Sequence, residues 1–155
     1  MEVTLDNVDL QILSVLQENA KITNADLARQ LEMAPSAVLE RVKKLEQREI
    51  IRGYHTRINP SALQQKLLAF IFIRSEGMGS MQTAEAIAAI EEVQEVHHVA
   101  GEDCFLIKIR TADSAALMDI MRTKLSTIPT ISSTRTTIVL ETRKEENSIV
   151  IPKPE

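Results

Sequence analysis

The apolar residues of this chain change their spacing close to residue 60. Before that position they recur every three or four residues, which is the pattern of amphipathic helices. After it, short apolar runs typical of strands alternate with helical segments. The change predicts a helical domain in residues 1–60, a linker in 61–66, a mixed domain in 67–142 and a polar tail in 143–155.

Three short helices and a hairpin are predicted in the first region. Thr23 begins the second helix with a Thr-x-x-Asp capping box. Pro35 suits the first turn of a third helix, because the amide hydrogen that proline lacks would have no partner there. The inward stripe of that helix is Val38, Val42 and Leu45. Residues 50–58 are predicted to form two short strands around Gly53. Three helices followed by a hairpin are typical of a winged helix-turn-helix.

The second region has the order strand, helix, strand, strand, helix, strand. This βαββαβ order is that of a ferredoxin-like sandwich with both helices on one face of the sheet, so the fold class of the whole chain is α+β. Its strands, such as residues 67–73 and 104–109, carry apolar side chains on both faces. A sheet covered on one side only should alternate with polar residues. We therefore expect a homodimer in which a second subunit covers the open face.

Charge changes the picture only when it is resolved along the chain. The 155 residues carry a formal net charge of -4, which by itself disfavours a nucleic-acid partner. Between residues 34 and 57, however, six basic and three acidic residues give a local balance of +3, and the rest of the chain carries -7. One tyrosine, three phenylalanines and no tryptophan leave little for stacking on single-stranded bases, whereas duplex DNA remains compatible with the basic segment.

The exposed side of the third helix carries the candidate DNA contacts. A helix in the major groove uses its exposed N-terminal residues on base edges and its longer basic side chains on phosphates. The candidate base contacts are Ser36, Ala37 and Glu40; the candidate phosphate or guanine contacts are Arg41, Lys44 and Arg48; Arg52, His55 and Arg57 are candidates to approach the DNA backbone from the wing. On charge alone, a solvated helix face with ion pairs such as Glu40 with Lys44 explains the same residues.

Several runs of this sequence resemble the Lrp/AsnC (feast/famine) family of transcription regulators. In the first region the resemblance rests on Leu27-Ala28, on APSAVLERVKKLE at residues 34–46 and on IIRGY at residues 50–54. In the second it rests on VAGEDCFL at residues 99–106 and on the threonine-rich strand at residues 131–140. The resemblance covers nearly the whole chain. It implies a regulator that binds double-stranded DNA, not an enzyme, with a second domain for ligand binding and oligomerisation.

The chain departs from the family at several positions. Glu32, Glu49 and Lys66 stand where members commonly have glycine. These residues either adopt other backbone angles or accept a cost of about 1 kcal/mol for a positive φ. Ala34 replaces a usual capping serine, a loss of about 1 kcal/mol. In the loop that begins at Gly101, the aspartate of the common Gly-x-x-Asp pattern comes one position early.

That loop and the last strand form the candidate effector site. Its residues are Gly101, Glu102, Asp103, Cys104, Thr134 and Thr136. Backbone amides of the turn can hold a carboxylate, and an acidic side chain can hold an amino group. The resemblance implies that an amino acid or related metabolite binds where these regions meet between dimers and shifts assembly, typically toward octamers. A plain hairpin turn, with threonines chosen for strand propensity, is the alternative.

No catalytic, metal or cofactor site is predicted. His97, His98 and Cys104 lack the spacing and the fourth ligand of a zinc site, and Cys104 is expected to be a small buried side chain. Without a signal peptide or an apolar run of about 18 residues, a cytoplasmic protein with no membrane partner is expected. Two alternatives remain, a nucleoid-organising protein that wraps DNA and an enzyme similar to siroheme decarboxylases. Three histidines disfavour the enzyme.

Overall fold

The computed structural model describes residues 4–76 and 81–153, which fall into two compact units. The first unit is made of the residues up to Arg57 together with those from Glu145 onward, and the second of Ile58–Lys144. The first contains α1 (Asn7–Glu18), α2 (Asn24–Gln30) and α3 (Pro35–Gln47). The second contains β1 (Leu67–Ser75), α4 (Met81–Ala88), β2 (Val93–His98), β3 (Phe105–Thr111), α5 (Ser114–Thr123) and β4 (Ile131–Ile138), with 3-10 turns at Pro60–Leu63 and Leu125–Thr127. The tail predicted as a separate segment is therefore grouped with the first unit.

The three helices of the first unit close around a small apolar core. Its buried side chains are Ile12, Leu27, Ala28, Val38, Val42 and Leu45. The predicted stripe of α3 is thereby confirmed. So are the helix starts, because the Asp26 amide donates to Thr23 Oγ1 at 3.1 Å and Pro35 occupies the first turn of α3. Ala34 makes no side-chain cap, as predicted.

Two helices of this unit end in a left-handed residue other than glycine. Glu32 has φ 54° and Glu49 has φ 56°. After α3, the Ile50 amide donates to the Leu45 carbonyl at 2.9 Å, which is the outer hydrogen bond of a Schellman motif. The chain thus accepts the steric cost at these two positions, because the capping bonds require the left-handed angle.

The left-handed residue of the linker is Gln64, not Lys66, where family members commonly have glycine. Gln64 has φ 58° and follows the 3-10 turn, whereas Lys66 has no positive φ. At Lys66 the backbone has therefore adopted other angles, and the cost of the left-handed conformation falls on Gln64.

The segment after α3 does not form the predicted hairpin. Residues 50–58, all within the described part of the chain, contain no strand. The amides of Ile50 and Ile51 both donate to the Leu45 carbonyl and so close the helix instead of starting a ladder. Gly53 has φ 150°, and a Cβ there would lie 3.0 Å from the ring of the histidine two positions later. The prediction of two strands is wrong, because the segment is irregular.

The second unit is a four-stranded antiparallel sheet in the order β2-β3-β1-β4. Ile71 of β1 lies opposite Ile107 of β3 and Thr136 of β4, so these residues share a face. The core on this face comprises Ala69, Ile71, Ile73, Phe105, Ile107 and Ile109 with Ile87, Leu117 and Ile120 from the two helices. The predicted α+β sandwich is confirmed. The threonine-rich strand expected at residues 131–140 is β4, which ends at Ile138.

The other face of the sheet is apolar at its centre. Leu68 is buried, and Phe70, Phe72 and Leu106 are half-buried. Lys108 and Arg135 lie on the same face, opposite Phe70 and Phe72 respectively. The prediction of strands that are apolar on both faces is thus confirmed along β1. None of the described helices combines the length and the apolar character needed to cross a membrane.

Candidate DNA-binding helix and effector loop

The outer face of α3 brings most of the candidate DNA contacts together. A hollow of about 350 Å³ on this face is lined by Ala37, Glu40, Arg41, Lys44 and Arg48, with Asp9 and Leu45. Four of the five candidate contacts among these residues are exposed, and the fifth, Arg41, is half-buried. Ser36 is also exposed, beside the hollow but not in its lining. The same helix packs its apolar stripe into the core, so α3 presents a polar face to solvent without weakening its packing.

Arg41 differs from its neighbours because its charge is already paired. Its Nη1 lies 2.7 Å from Asp6 Oδ2 and 2.8 Å from Asp9 Oδ1. Both aspartates belong to the start of α1, and sequence spacing gave no sign of this contact, since the partners are more than 30 residues apart. Arg41 therefore joins two helices, a role that the sequence analysis missed.

The candidates after α3 lie along the irregular segment and outside the hollow. Arg52, His55 and Arg57 are exposed. Arg57 Nη2 donates to the Glu145 carbonyl at 2.6 Å, so this side chain is engaged with the tail. Tyr54 donates its hydroxyl to Glu46 Oε1 at 2.9 Å. Burial, with Glu46 as the second cause, raises the pKa of Tyr54 to about 12.

The tail makes a further contact with α1 inside the first unit. The Gln17 side chain pairs with both backbone groups of Ile149, donating from Nε2 to the carbonyl at 2.8 Å and accepting from the amide at 3.0 Å. A polar tail with a short apolar run gave no local signal for this pairing. Together with Arg57, Gln17 explains why the tail belongs to the first unit.

The candidate effector loop is held at one end of β1. The Cys104 amide donates to the Ile73 carbonyl at 2.8 Å, and Thr134 lies opposite Ile73 on the other side of the strand. The loop and the start of β4 therefore flank the same residue. Cys104 packs against the core, with Sγ 3.6 Å from the Ser75 carbonyl, but it is half-buried rather than buried as predicted.

The two acidic residues of the loop are paired with arginines of the sheet. Glu102 lies 3.0 Å from Arg74, and Asp103 lies 2.9 Å from Arg135. The Arg135 guanidinium also lies 4.4 Å from the ring centre of Phe72, which is a cation–π geometry. Arg135 stands between the two candidate threonines in the chain and was not among the predicted site residues.

The candidate effector residues do not all share a face of the sheet. Thr136 points toward the helices, where its hydroxyl donates to Met121 Sδ at 3.5 Å. Arg135, the partner of Asp103, points to the opposite face, because neighbours along a strand alternate. The structure thus brings Asp103 to β4, but to the side away from Thr134 and Thr136.

With both halves of the chain described, comparison with known proteins assigns the family. A family model described as the Lrp/AsnC ligand binding domain matches residues 68–149, and a model described as winged helix-turn-helix DNA-binding matches residues 5–52. The chain belongs to the Lrp/AsnC family. This Lrp/AsnC protein is a DNA-binding transcription regulator with a ligand-binding domain rather than an enzyme, which confirms the predicted class.

Individual relatives of this Lrp/AsnC protein match over almost the whole chain. The leucine-responsive regulatory protein of Haemophilus influenzae is 38% identical over 150 residues, which are 95% of this chain and 90% of the relative. The feast or famine regulatory protein of M. tuberculosis, solved in complex with L-methionine, has a TM-score of 0.88 at 32% identity, with 96% of this chain and 100% of that chain covered. A transcriptional regulator of Neisseria meningitidis in complex with L-methionine has a TM-score of 0.86 at 28% identity, with 95% and 97% covered.

Proposed function

We propose that this regulator contacts double-stranded DNA through the outer face of α3 and binds an amino acid, or a related small metabolite, at the loop of residues 101–104. The observation that carries the DNA-contacting part is the hollow on α3, which is lined by five candidate contacts while the opposite face of the helix is buried. A helix with this division can enter a major groove without disturbing its own core.

The exposed side chains of α3 divide into two roles. Ser36, Ala37 and Glu40 lie toward the N-terminal half of the helix and contact base edges, with Glu40 accepting from a cytosine amino group. Lys44 and Arg48 supply positive charge for phosphates or guanine. Arg52 and His55 approach the DNA backbone from the segment after the helix. Arg57 can do so only after it leaves the Glu145 carbonyl that it contacts.

The effector is proposed to be an amino acid because two structural relatives were solved with L-methionine and a third relative is named for its response to leucine. In this chain, backbone amides of the turn at Gly101 are suited to a carboxylate. Glu102 and Asp103 are already paired with arginines, so an effector amino group has to share one of these carboxylates. No metal or further cofactor is part of this proposal.

Assembly follows from the uncovered sheet. We propose that two copies pair through the face that carries Phe70, Phe72 and Leu106, and that such dimers join into octamers in the cytoplasm. The support is the half-buried apolar centre of this face, which a second copy would remove from water. Effector occupancy then shifts the assembly and with it the spacing of the DNA-contacting helices.

Calorimetric titration with each of the twenty amino acids tests the effector. The informative variant is Gly101→Ala, since Gly101 has φ 137° and an added Cβ meets nothing within 4 Å, so the substitution disturbs the turn without a clash. We expect at least one amino acid to bind the wild type and that binding to weaken about tenfold or more in Gly101→Ala, because alanine disfavours this backbone angle.

Glu102→Gln is a second test variant, because Glu102 is one of the two carboxylates proposed to hold the effector amino group, and the change leaves the turn backbone intact. Glu91→Gln, at an exposed carboxylate of the same unit outside the loop, is the matched control. Binding that survives Gly101→Ala unchanged would move the effector away from this loop. A wild type that responds to none of the twenty amino acids would contradict the effector proposal and leave the DNA-contacting proposal standing.

A further inference from the structure

The contact between α1 and α3 includes a closed network of three charged side chains. Arg41 Nη1 contacts one oxygen of Asp6 and one of Asp9, at 2.7 and 2.8 Å. The other oxygens form the capping box of α1, in which Asp6 Oδ1 accepts from the Asp9 amide at 2.8 Å and Asp9 Oδ2 accepts from the Asp6 amide at 3.4 Å. All four carboxylate oxygens are therefore used, and a single guanidinium nitrogen links the start of α1 to the middle of α3.

Burial makes this network costly to break. The Asp9 side chain is 13% exposed and that of Arg41 32%, against 53% for Asp6. A carboxylate as sheltered as Asp9 is stable only with a charged or hydrogen-bonding partner. The Asp9 amide first, and Arg41 second, hold the pKa of Asp6 below its usual value, and the two carboxylates raise the pKa of Arg41.

The network also removes Arg41 from the positive charge that α3 offers to DNA. Two carboxylates face one guanidinium, so the three side chains together carry one net negative charge. A phosphate arriving at Arg41 would therefore meet a site with a net negative charge. Lys44 and Arg48 line the same hollow and have no carboxylate among their described contacts, so they are better placed to meet a phosphate.

The network adds a directional contact to the apolar packing of α3. The core contact through residues such as Ile12 and Val38 decides which face of α3 is buried, but apolar attraction has no preferred direction and tolerates small rotations of the helix about its axis. A charge-assisted hydrogen bond to two fixed acceptors restricts those rotations, because its strength depends on geometry. Arg41 follows Glu40 in the chain, so its anchoring sets where Glu40 and the N-terminal residues of α3 point.

We propose that Arg41 is a positioning residue for DNA recognition, held by Asp6 and Asp9 so that α3 presents its base-contacting edge, and that it is not a phosphate contact. This inference revises the role that the sequence alone gives to Arg41. It rests on the proposed use of α3 as the DNA-contacting helix, and the experiment separates the two.

The experiment measures DNA binding by fluorescence anisotropy for the full chain with two duplexes. One duplex is recovered by in vitro selection with the wild type, and the other is a scrambled sequence of equal length. Asp9→Asn and Arg41→Met are the test variants, and Lys44→Ala is the reference for a phosphate contact. For each protein, the affinity ratio between the duplexes and the slope of log affinity against log salt are determined.

Positioning and phosphate contact predict opposite results for Asp9→Asn. If Arg41 positions α3, this nearly isosteric change lowers the affinity ratio about tenfold, the scale of one lost base contact, and leaves the salt slope unchanged. If Arg41 is a phosphate contact restrained by Asp9, the same change frees it, so that binding to both duplexes strengthens and the slope grows. The second result would overturn the inference.

Arg41→Met tests the same question by removing the guanidinium itself. The inference predicts a fall in the affinity ratio with the slope of the wild type, whereas loss of a phosphate contact would lower the magnitude of the slope by roughly one unit. A role in stability alone would lower the melting temperature and leave the affinity ratio of the folded protein unchanged, which also contradicts the inference. Asp6→Asn, at the more exposed acceptor, provides a milder variant that keeps the test decisive if Arg41→Met does not fold.

An unchanged slope in Lys44→Ala would show that α3 is not the DNA-contacting helix, which is a failure of the proposed function. A normal Lys44→Ala effect together with a lowered slope in Arg41→Met would overturn only the inference.

Discussion

The protein has two uncovered faces of opposite character. The outer face of α3 is polar and exposed around its hollow, and it lies in a segment with a local excess of positive charge. The open face of the sheet is apolar and half-buried at its centre, with ion pairs from Arg74 and Arg135 to the effector loop. A charged, exposed face suits reversible binding of a polyanion such as DNA. An apolar face favours a permanent protein interface.

The two units also use charge differently. In the DNA-binding unit, Arg41 is drawn inward to hold α1 against α3. In the ligand-binding unit, buried apolar side chains hold the helices on the sheet, and Arg74 and Arg135 bind the loop. An ion pair between Lys124 and Glu92, with side chains 41% and 30% exposed, joins the end of α5 to the turn before β2. Counting basic residues therefore overestimates the charge available to DNA, because one of the cations of α3 serves the fold.

The largest effect is expected at the open sheet face. Leu106→Lys places a charge there opposite Phe72 and His97, with no acidic residue directly across. If this face joins two copies, the buried charge weakens the dimer by at least about 3 kcal/mol, or roughly two orders of magnitude in the dissociation constant. Sedimentation analysis across protein concentrations measures this shift.

Met118→Lys is the matched control, because Met118 is a 67% exposed apolar residue on α5, in the helix layer on the other side of the sheet. It should leave the dimer intact. If Leu106→Lys and the wild type dimerise with the same dissociation constant, the open face of the sheet is not the dimer interface, and the proposed difference between the two faces is wrong.

A smaller effect is expected at the end of α3. Glu49→Gly relieves a left-handed backbone angle at φ 56°, which costs most L residues about 1 kcal/mol. Part of this gain is offset by the greater freedom of glycine in the unfolded chain, so we expect a net stabilisation of about 0.5 kcal/mol. Chemical denaturation measures the change.

Glu49→Ala serves as the control for losing the side chain while keeping the strained angle. A gain in Glu49→Ala equal to that in Glu49→Gly would show that the side chain, and not the backbone, limits stability. The two variants together show whether the backbone angle that ends α3 is strained.

Patterns that are local in the chain predicted the fold well. The three- and four-residue spacing placed Val38, Val42 and Leu45 in the core, and Thr23 caps its helix as expected. The prediction of a hairpin after α3 was wrong because the amides of Ile50 and Ile51 donate to the Leu45 carbonyl at the end of the helix and not to a partner strand. Periodicity describes side chains and does not show where a backbone amide will donate.

Contacts between distant residues account for what the sequence could not predict at the candidate site. The pairing of Arg41 with Asp6 and Asp9, and that of Asp103 with Arg135, each join residues about 30 positions apart. Charged side chains at such separations have many possible partners, and only the packed helices or paired strands select one. The exposure of most candidate contacts on α3 was predictable because it requires only a helix and its buried face.

The central claim, that the outer face of α3 binds DNA, is tested most directly by the salt dependence of binding in Lys44→Ala. Lys66→Ala, at an exposed lysine just before β1, is the matched control. We predict that Lys44→Ala weakens binding to every duplex and lowers the magnitude of the salt slope by roughly one unit, while Lys66→Ala keeps the wild-type slope. Wild-type affinity and slope in Lys44→Ala would contradict the account.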